Sequence, residues 1–394
     1  MKPLNNFLAY ILSVVLALGT INPFAFNSYQ NEPSESIMIS LFSVMFMIIT
    51  FMHYGFREFS RLNRQIVVSI VFLIGTILIA DIIYSLDSIN VYFYVKFSIV
   101  LLVFFSLLIY FRNNPEMIQR CMLLFSLSCA ILIFFAFTNG LFGYAETYKG
   151  RLYLYGENPN STSSRMSMAI LFFIYLFFSK KSKLYMKILW GACVFLLFVY
   201  IIRSGSRGSF LVTLMSALLV FLSSRGGFGT KTLFALLGLT VAFFFLPSIM
   251  QKEEVALFER MEELEEHNSR ETLMQQAFTI FLDNPVVGVG SNGYNVEKAR
   301  RGFDHRDSHN IITSILAMGG VVALSAFIIL WLSLIRPTYR YRGKTIAPFV
   351  ISISMFLISM KTGGVITFVL MWYVYAVSYC WSTNLKMTGN KLNK

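Results

Sequence analysis

Charged residues are scarce in this sequence: Asp, Glu, Lys and Arg together make up 13% of its 394 residues, about half the share of an average soluble domain. Acidic residues are the scarcer sign, 20 against 33 Lys and Arg, and histidine occurs four times. Cysteine also occurs four times, at Cys121, Cys129, Cys193 and Cys380. All four lie in apolar stretches without CxxC or Cys/His spacing, so they give no sign of disulfides or of a metal site and read as small buried hydrophobes. What fills the chain instead is apolar: 56% hydrophobic residues, 40 Phe and 20 Tyr, with a mean hydropathy of +0.64. The balance is that of a polytopic membrane protein.

Windows long enough to cross a hydrocarbon core predict spans at Leu4 to Ile21, Ser36 to Gly55, Ile66 to Leu86, Val91 to Phe111, Met117 to Thr138 and Ser164 to Phe178. They continue at Leu184 to Ile202, Ser209 to Leu222, Thr232 to Met250, Asn310 to Ile335, Thr345 to Met360 and Gly363 to Trp381. The expected fold is therefore all-α, one integral membrane domain over residues 1–394 with about twelve transmembrane helices. The sixth and eighth spans are short for a bilayer unless polar neighbours extend them. Lys2 ahead of the first apolar run resembles a signal peptide, but the cleavage site is poor and further spans follow, so the run reads as a retained helix.

Basic residues orient the bundle. Connections carrying Arg57, Arg61 and Arg64, then Arg112, then Lys180, Lys181, Lys183 and Lys187 alternate with connections that lack Lys and Arg. The basic set faces the cytoplasm. Continuing the alternation puts Arg225 and Lys231, the Arg336 to Lys344 group and the lysine-bearing tail on the same side, and both termini inside. This bias accounts for most of the net charge of +13, so a nucleic-acid partner has little to explain.

The opposite, extracytoplasmic face should carry few positive charges. Yet Arg151, Arg165, Arg203, Arg207, Arg260, Arg270, Lys298, Arg300, Arg301 and Arg306 all fall there. Long translocated loops tolerate charge, but Arg203 and Arg207 sit in the tight link RSGSRGS between two spans. Beside Gly and Ser donors, with a helix starting immediately after, they read as an anion site.

The large outer loop, residues 251–308, has internal order. Val255, Phe258, Met261 and Leu264 at three-residue spacing predict a short interfacial helix in an acidic stretch. Asn268 and Glu271 resemble a capping box, so a second helix starts with Arg270, places Leu273, Ala277, Ile280 and Phe281 on one face, and stops at Asn284-Pro285. Gly288, Gly290 and Gly293 then allow a sharply turned loop. GVGSNG contains a GxGxxG but follows no strand, which excludes a dinucleotide site.

Three of the histidines, His267, His305 and His309, lie in this loop. His267 and His305 read as loop surface. A metal held by His305 and His309 lacks an HExxH pattern and a shared helical face, so no metal or cofactor is expected. His309 is different, because it begins an apolar helix whose positive end favours a neutral imidazole able to accept a proton. Arginines plus one histidine, without a DxD motif, fit a reaction whose leaving group is already an activated phosphate. The arginines offset charge developing on a diphosphate while the histidine deprotonates a hydroxyl. Outside the cytoplasm, a lipid-linked diphosphate sugar is the natural donor.

Four motifs in order, ENPNSTSSRM (Glu157 to Met166), SGSRGSFL (Ser204 to Leu211), SRETLMQQAFTIFLDNPVVGVGSNGY (Ser269 to Tyr294) and SHNIITSILAMGGVVAL (Ser308 to Leu324), resemble the O-antigen ligase and polymerase superfamily of bacterial envelopes. Met274 departs from the Trp or Tyr that many relatives carry there. The resemblance implies a metal-independent, inverting glycosyltransferase of the GT-C type in the inner (cytoplasmic) membrane, using undecaprenyl-diphosphate-linked glycans and a glycan or lipid A core acceptor. A chain-length regulator is a further implied partner. It also implies that Arg207 and Arg270 bind the donor diphosphate and that His309 activates the acceptor hydroxyl; Arg203 joins them from its spacing alone. Ligase and polymerase would share this arrangement. Asn158-Pro159-Asn160 resembles repeat-unit polymerases and tips the reading that way.

A transporter or flippase for lipid-linked sugars is the competing class. It calls for sites near the bilayer midplane and for repeats, and no repeat is visible. Within the spans only Asp81 and Lys96 stand out, read as an interfacial aspartate and a snorkelling lysine.

Overall fold

The structure is a computed structural model that describes residues 1–19, 37–84, 90–138, 145–148, 151–154, 157–179, 182–224, 227–236, 265–306, 308–361 and 365–391. Its helices are α1 (Lys2–Leu18), α2 (Ile37–Tyr54), α3 (Phe56–Phe59), α4 (Arg64–Tyr84), α5 (Val91–Asn113), α6 (Pro115–Thr138), α7 (Pro159–Phe177), α8 (Leu184–Arg203) and α9 (Arg207–Ser223). They continue with α10 (Glu265–Asp283), α11 (Gly290–Arg300), α12 (Ile311–Arg340), α13 (Ala347–Ser359) and α14 (Val369–Lys391). Among the described residues, α4, α5, α6, α8 and α12 are the 5 helices long and apolar enough to cross a membrane, with shorter apolar helices at α1, α2, α9 and α13. This is an all-α membrane protein. Residues 228–236 are helical, but the rest of the ninth expected span and the acidic interfacial helix up to Leu264 lie outside the described residues.

Two of the departures from the sequence reading lie in the connections between spans. Between α6 and α7, β1 (Ala145–Tyr148) and β2 (Arg151–Leu154) pair antiparallel, with Ala145 opposite Leu154 and Tyr148 opposite Arg151. Alternation along β2 explains it: Leu152 and Leu154 are buried while Arg151 and Tyr153 are half-buried. The last span also starts later, at Val369, after a 3-10 turn over Val365–Thr367.

The chain divides into two compact units. The first comprises Met1–Phe46, Asn114–Glu263 and Arg342–Ile358. Here α7 is the central helix, buried from Thr162 to Ile174 without interruption, with a polar first half and an apolar second half. Hydroxyls join its neighbours, because apolar surface alone gives lipid-embedded helices little reason to associate. Thr213 Oγ1 of α9 donates to Ser167 Oγ of α7 at 2.7 Å, and Ser216 Oγ meets Ser354 Oγ of α13 at 2.6 Å. Arg165, in the first half of α7, is 2% exposed and ion-paired with Glu157, also 2% exposed. Thr162 Oγ1 donates to the same Glu157 oxygen at 3.0 Å. One outer-face arginine of the sequence is thereby neutralised inside the protein.

The second unit comprises Met47–Asn113, Leu264–Tyr341 and Ser359–Lys394. Rings join α5 to α14: Phe104 meets Trp372 at 5.1 Å in an edge contact, and Phe111 meets Tyr373 at 6.5 Å. The Trp372 indole donates to Ile366 O at 2.8 Å, which anchors the 3-10 turn. Against this frame α4 packs along α12.

Replacing Glu157 by Gln leaves the Arg165 guanidinium buried without its counter-charge. Thermal unfolding in detergent should show a loss of about 3–5 kcal/mol, largely recovered in a Glu157→Gln, Arg165→Met double variant. An unchanged midpoint in the single variant contradicts the pairing.

Candidate active site

The second unit holds Arg270 and His309. The apolar helix begins at Ile311, not at the histidine. Asn310 is its N-cap, its Oδ1 accepting from Ile312 N at 2.9 Å and Thr313 N at 3.3 Å. On the other side of the histidine, Ser308 is fully buried and its Oγ lies 2.8 Å from Ser314 Oγ, while Thr313 Oγ1 donates to it at 3.0 Å. Both neighbours are thus fastened to the first turn of α12. Held between them, His309 has φ 51 and is the one non-glycine residue with positive φ among the described residues. Left-handed backbone at such a residue carries strain that only surrounding contacts sustain, and it concentrates at functional sites.

α12 is not continuous. Gly320, with φ 61 and ψ −163, breaks it inside the tenth span expected from hydropathy, which is otherwise present as one long apolar helix. A Gly-Gly pair has the weakest helical preference short of proline, and only glycine takes this conformation freely. The freed backbone groups are taken up by the loop after α10. Val321 N donates to Pro285 O at 2.9 Å, Val322 N to Val286 O at 3.3 Å, and Val289 N to Ala317 O at 3.0 Å. The apolar run NPVVGVG is therefore a plug for the break.

Immediately after the plug, α11 occupies the segment read from sequence as a turned glycine loop. Its N-terminus meets Asp81 of α4: Asn292 N donates to Asp81 Oδ1 at 2.9 Å and Gly293 N at 3.4 Å, and the Tyr94 hydroxyl donates to Oδ2 at 2.6 Å. Asp81 is 0% exposed, which overturns the interfacial reading. It acts as an N-cap supplied by another helix. A Cβ at Gly290 would run into this carboxyl group. At the other end of α11, buried Lys298 donates to His305 O at 2.9 Å and Arg306 O at 3.4 Å, which ties down the segment leading to His309.

α10 starts at Glu265, so Asn268 lies inside the helix rather than capping it, and Arg270 sits more than a turn from its start. Arg270 is half-buried and shares a face with Leu273, Ala277 and Ile280, at most 2% exposed, the side by which a helix of this kind packs. α10 packs on α12, the helix that follows His309.

The first unit holds the other two expected residues. Arg207 is the first residue of α9, whose N-cap Ser206 makes no side-chain capping bond. Arg203 ends α8 with its guanidinium 5.8 Å from the centre of the Phe137 ring. The turn between them is stitched to α7 and the hairpin. Ser204 Oγ lies 2.7 Å from Ser163 Oγ, and Arg151 Nε donates to Ser204 O at 2.8 Å. Asn158 caps α7, and Asn160 Oδ1 accepts from Arg151 Nη2 at 3.0 Å. The ENPNSTSSR motif is therefore a mount for the arginine turn. Arg203 and Arg207 thus lie in one unit, and Arg270 and His309 in the other.

Residues 192–328 match the model of a family described as O-antigen ligase. The matched stretch carries an O-antigen ligase signature. It contains Arg203, Arg207, Arg270 and His309, along with the plug and the break, while Asp81 and Arg151 lie outside it. The match supports the resemblance to the O-antigen ligase and polymerase superfamily, and with it an enzyme of bacterial membranes in polysaccharide assembly, acting on a lipid-linked glycan donor and an acceptor. Among curated proteins, none matches the chain.

Asp81→Ala removes the acceptor for two amides of α11. Hydrogen exchange at Asn292 and Gly293 should speed up by the equivalent of about 1–2 kcal/mol; unaltered protection would refute the cap. Gly320→Ala forces a side chain into a left-handed position at a cost of about 1–2 kcal/mol and against the Val286 carbonyl. Faster exchange at Val321 and Val322 is the expected readout, and no change there would mean the plug does not depend on this glycine.

Proposed function

We propose that the chain is a glycosyltransferase of cell-surface polysaccharide assembly in the inner membrane, transferring glycan from an undecaprenyl-diphosphate-linked donor to an acceptor sugar hydroxyl. The observation that carries this reading is His309, held at φ 51 between two residues anchored to a helix start. Such a position costs stability, which is what a group placed for chemistry looks like.

In this reaction the acceptor hydroxyl gives its proton to the His309 imidazole. Its oxygen forms a bond to the anomeric carbon of the donor while the bond from that carbon to the diphosphate oxygen breaks. The bonding pair leaves with undecaprenyl diphosphate, and attack opposite the leaving group inverts the anomeric centre. Arg207, Arg270 and Arg203 hold the diphosphate and offset the charge that grows on it. The guanidinium groups supply the neutralisation that a metal ion supplies elsewhere, so the mechanism requires none.

Both termini face the cytoplasm in this proposal and the site faces outward, because the basic loops follow the positive-inside bias while the site arginines break it. Repeat-unit polymerisation is slightly preferred over ligation to lipid A core, since the Asn158 to Asn160 segment resembles one common in repeat-unit polymerases.

His309→Ala should reduce glycan transfer by about 10²–10⁴-fold, the usual contribution of a positioned base, with the protein still in the membrane. A glycan profile equal to wild type would refute the mechanism and favour a transporter. Expression in strains lacking either the polymerase or the ligase separates the branches: a restored ladder of repeats supports polymerisation, and restored attachment of long chains to core overturns it in favour of ligation.

A further inference from the structure

Arg151 was one of several arginines on the expected outer face, with no role of its own. In the structure it is half-buried and fixed by two hydrogen bonds, to Ser204 O at 2.8 Å and Asn160 Oδ1 at 3.0 Å, with the Tyr153 ring 5.9 Å away. Each of these partners is neutral, so the contacts aim the guanidinium without cancelling its charge.

Burial draws the Arg151 guanidinium below its usual pKa, against the opposing pull of Tyr153 and Tyr200, and the nearby Arg207 charge works in the same direction as burial. Arg203, at the other end of the same turn, lies against the Phe137 ring. Among the described residues, neither Arg151 nor Arg203 forms an ion pair with a carboxylate. The contrast within the same unit is Arg165, whose charge is met by Glu157. Collecting like charges in a partly desolvated place is unfavourable unless an anion from outside completes the arrangement.

We propose that Arg151 is a further diphosphate-binding residue, which with Arg203 and Arg207 gives the first unit a three-guanidinium site for a multiply charged lipid diphosphate. The inference rests on the donor assignment above and extends it. The hairpin exists to carry Arg151 to the turn, and its bonds to Ser204 and Asn160 fix the guanidinium before the ligand arrives. A pre-set planar fork of donors suits a diphosphate, whose paired phosphate groups can be bridged by several guanidinium groups at once.

The test uses the full chain in lipid nanodiscs with undecaprenyl diphosphate as the probe, compared with undecaprenyl phosphate and with phosphatidylglycerol. Arg151→Gln should weaken diphosphate binding about 10- to 100-fold, more than it weakens monophosphate binding, with a shallower dependence on salt. Arg151→Lys should recover part of the loss by restoring charge. Asn160→Ala, which removes a tether and no charge, should cost much less.

If Arg207→Gln weakens the diphosphate and Arg151→Gln does not, the inference fails while the donor assignment stands. If neither variant matters, the donor assignment itself fails. Equal losses for Arg151→Gln and Asn160→Ala, with no preference for the diphosphate, reduce Arg151 to a strut and overturn the proposal. So does phosphatidylglycerol competing as well as undecaprenyl diphosphate, because the site would then read a single lipid phosphate.

Discussion

Inside a bilayer there is no water to satisfy a backbone amide or carbonyl, so any interruption of a helix must be repaired by protein. The break at Gly320 is such an interruption, and the arrangement of the second unit follows from its repair. Pro285 and Val286 give their carbonyls to the far half of α12, and Val289 donates back to the near half at Ala317. A loop held that firmly fixes where α11 begins. Asp81 then closes the start of α11 from α4, and Lys298 holds the carbonyls of the segment beyond it. The left-handed histidine stands at the end of this series of contacts, each of which removes freedom from the next.

The first unit solves a different problem, that of aiming Arg151 beside another cation, and among the described residues it does so with neutral acceptors. Ser204 and Asn160 orient Arg151, and Ser163 secures the same turn through its hydroxyl. Arg165, buried within α7, receives a carboxylate instead. Two roles for the same side chain are thus distinguished by the charge of what each one touches.

Much of this was legible in sequence. Apolar windows located α4, α5, α6 and α8 to within a few residues, because a span must be long and its composition is extreme. The basic residues expected on the outer face made Arg207 and Arg203 candidates, and the polar SHN triplet before an apolar run made His309 one. What escaped were features whose partners are backbone atoms. Asp81 looked interfacial because the amides of Asn292 and Gly293 leave no mark in composition. Gly319-Gly320 reads as tolerable within a helix, and nothing in NPVVGVG announces that its carbonyls belong to another element. The hairpin was too short, at four residues a strand, to stand out beside long apolar runs, and with it Arg151 went unassigned.

The broken helix also bears on how the protein is made. Synthesis proceeds from the N-terminus, and Asp81 and the Pro285 to Val289 loop both precede Gly320 in the chain. When the second half of α12 leaves the ribosome, the carbonyls that its first amides need have already been synthesised. The order of the sequence therefore spares the insertion machinery a half-helix with unpartnered amides in lipid.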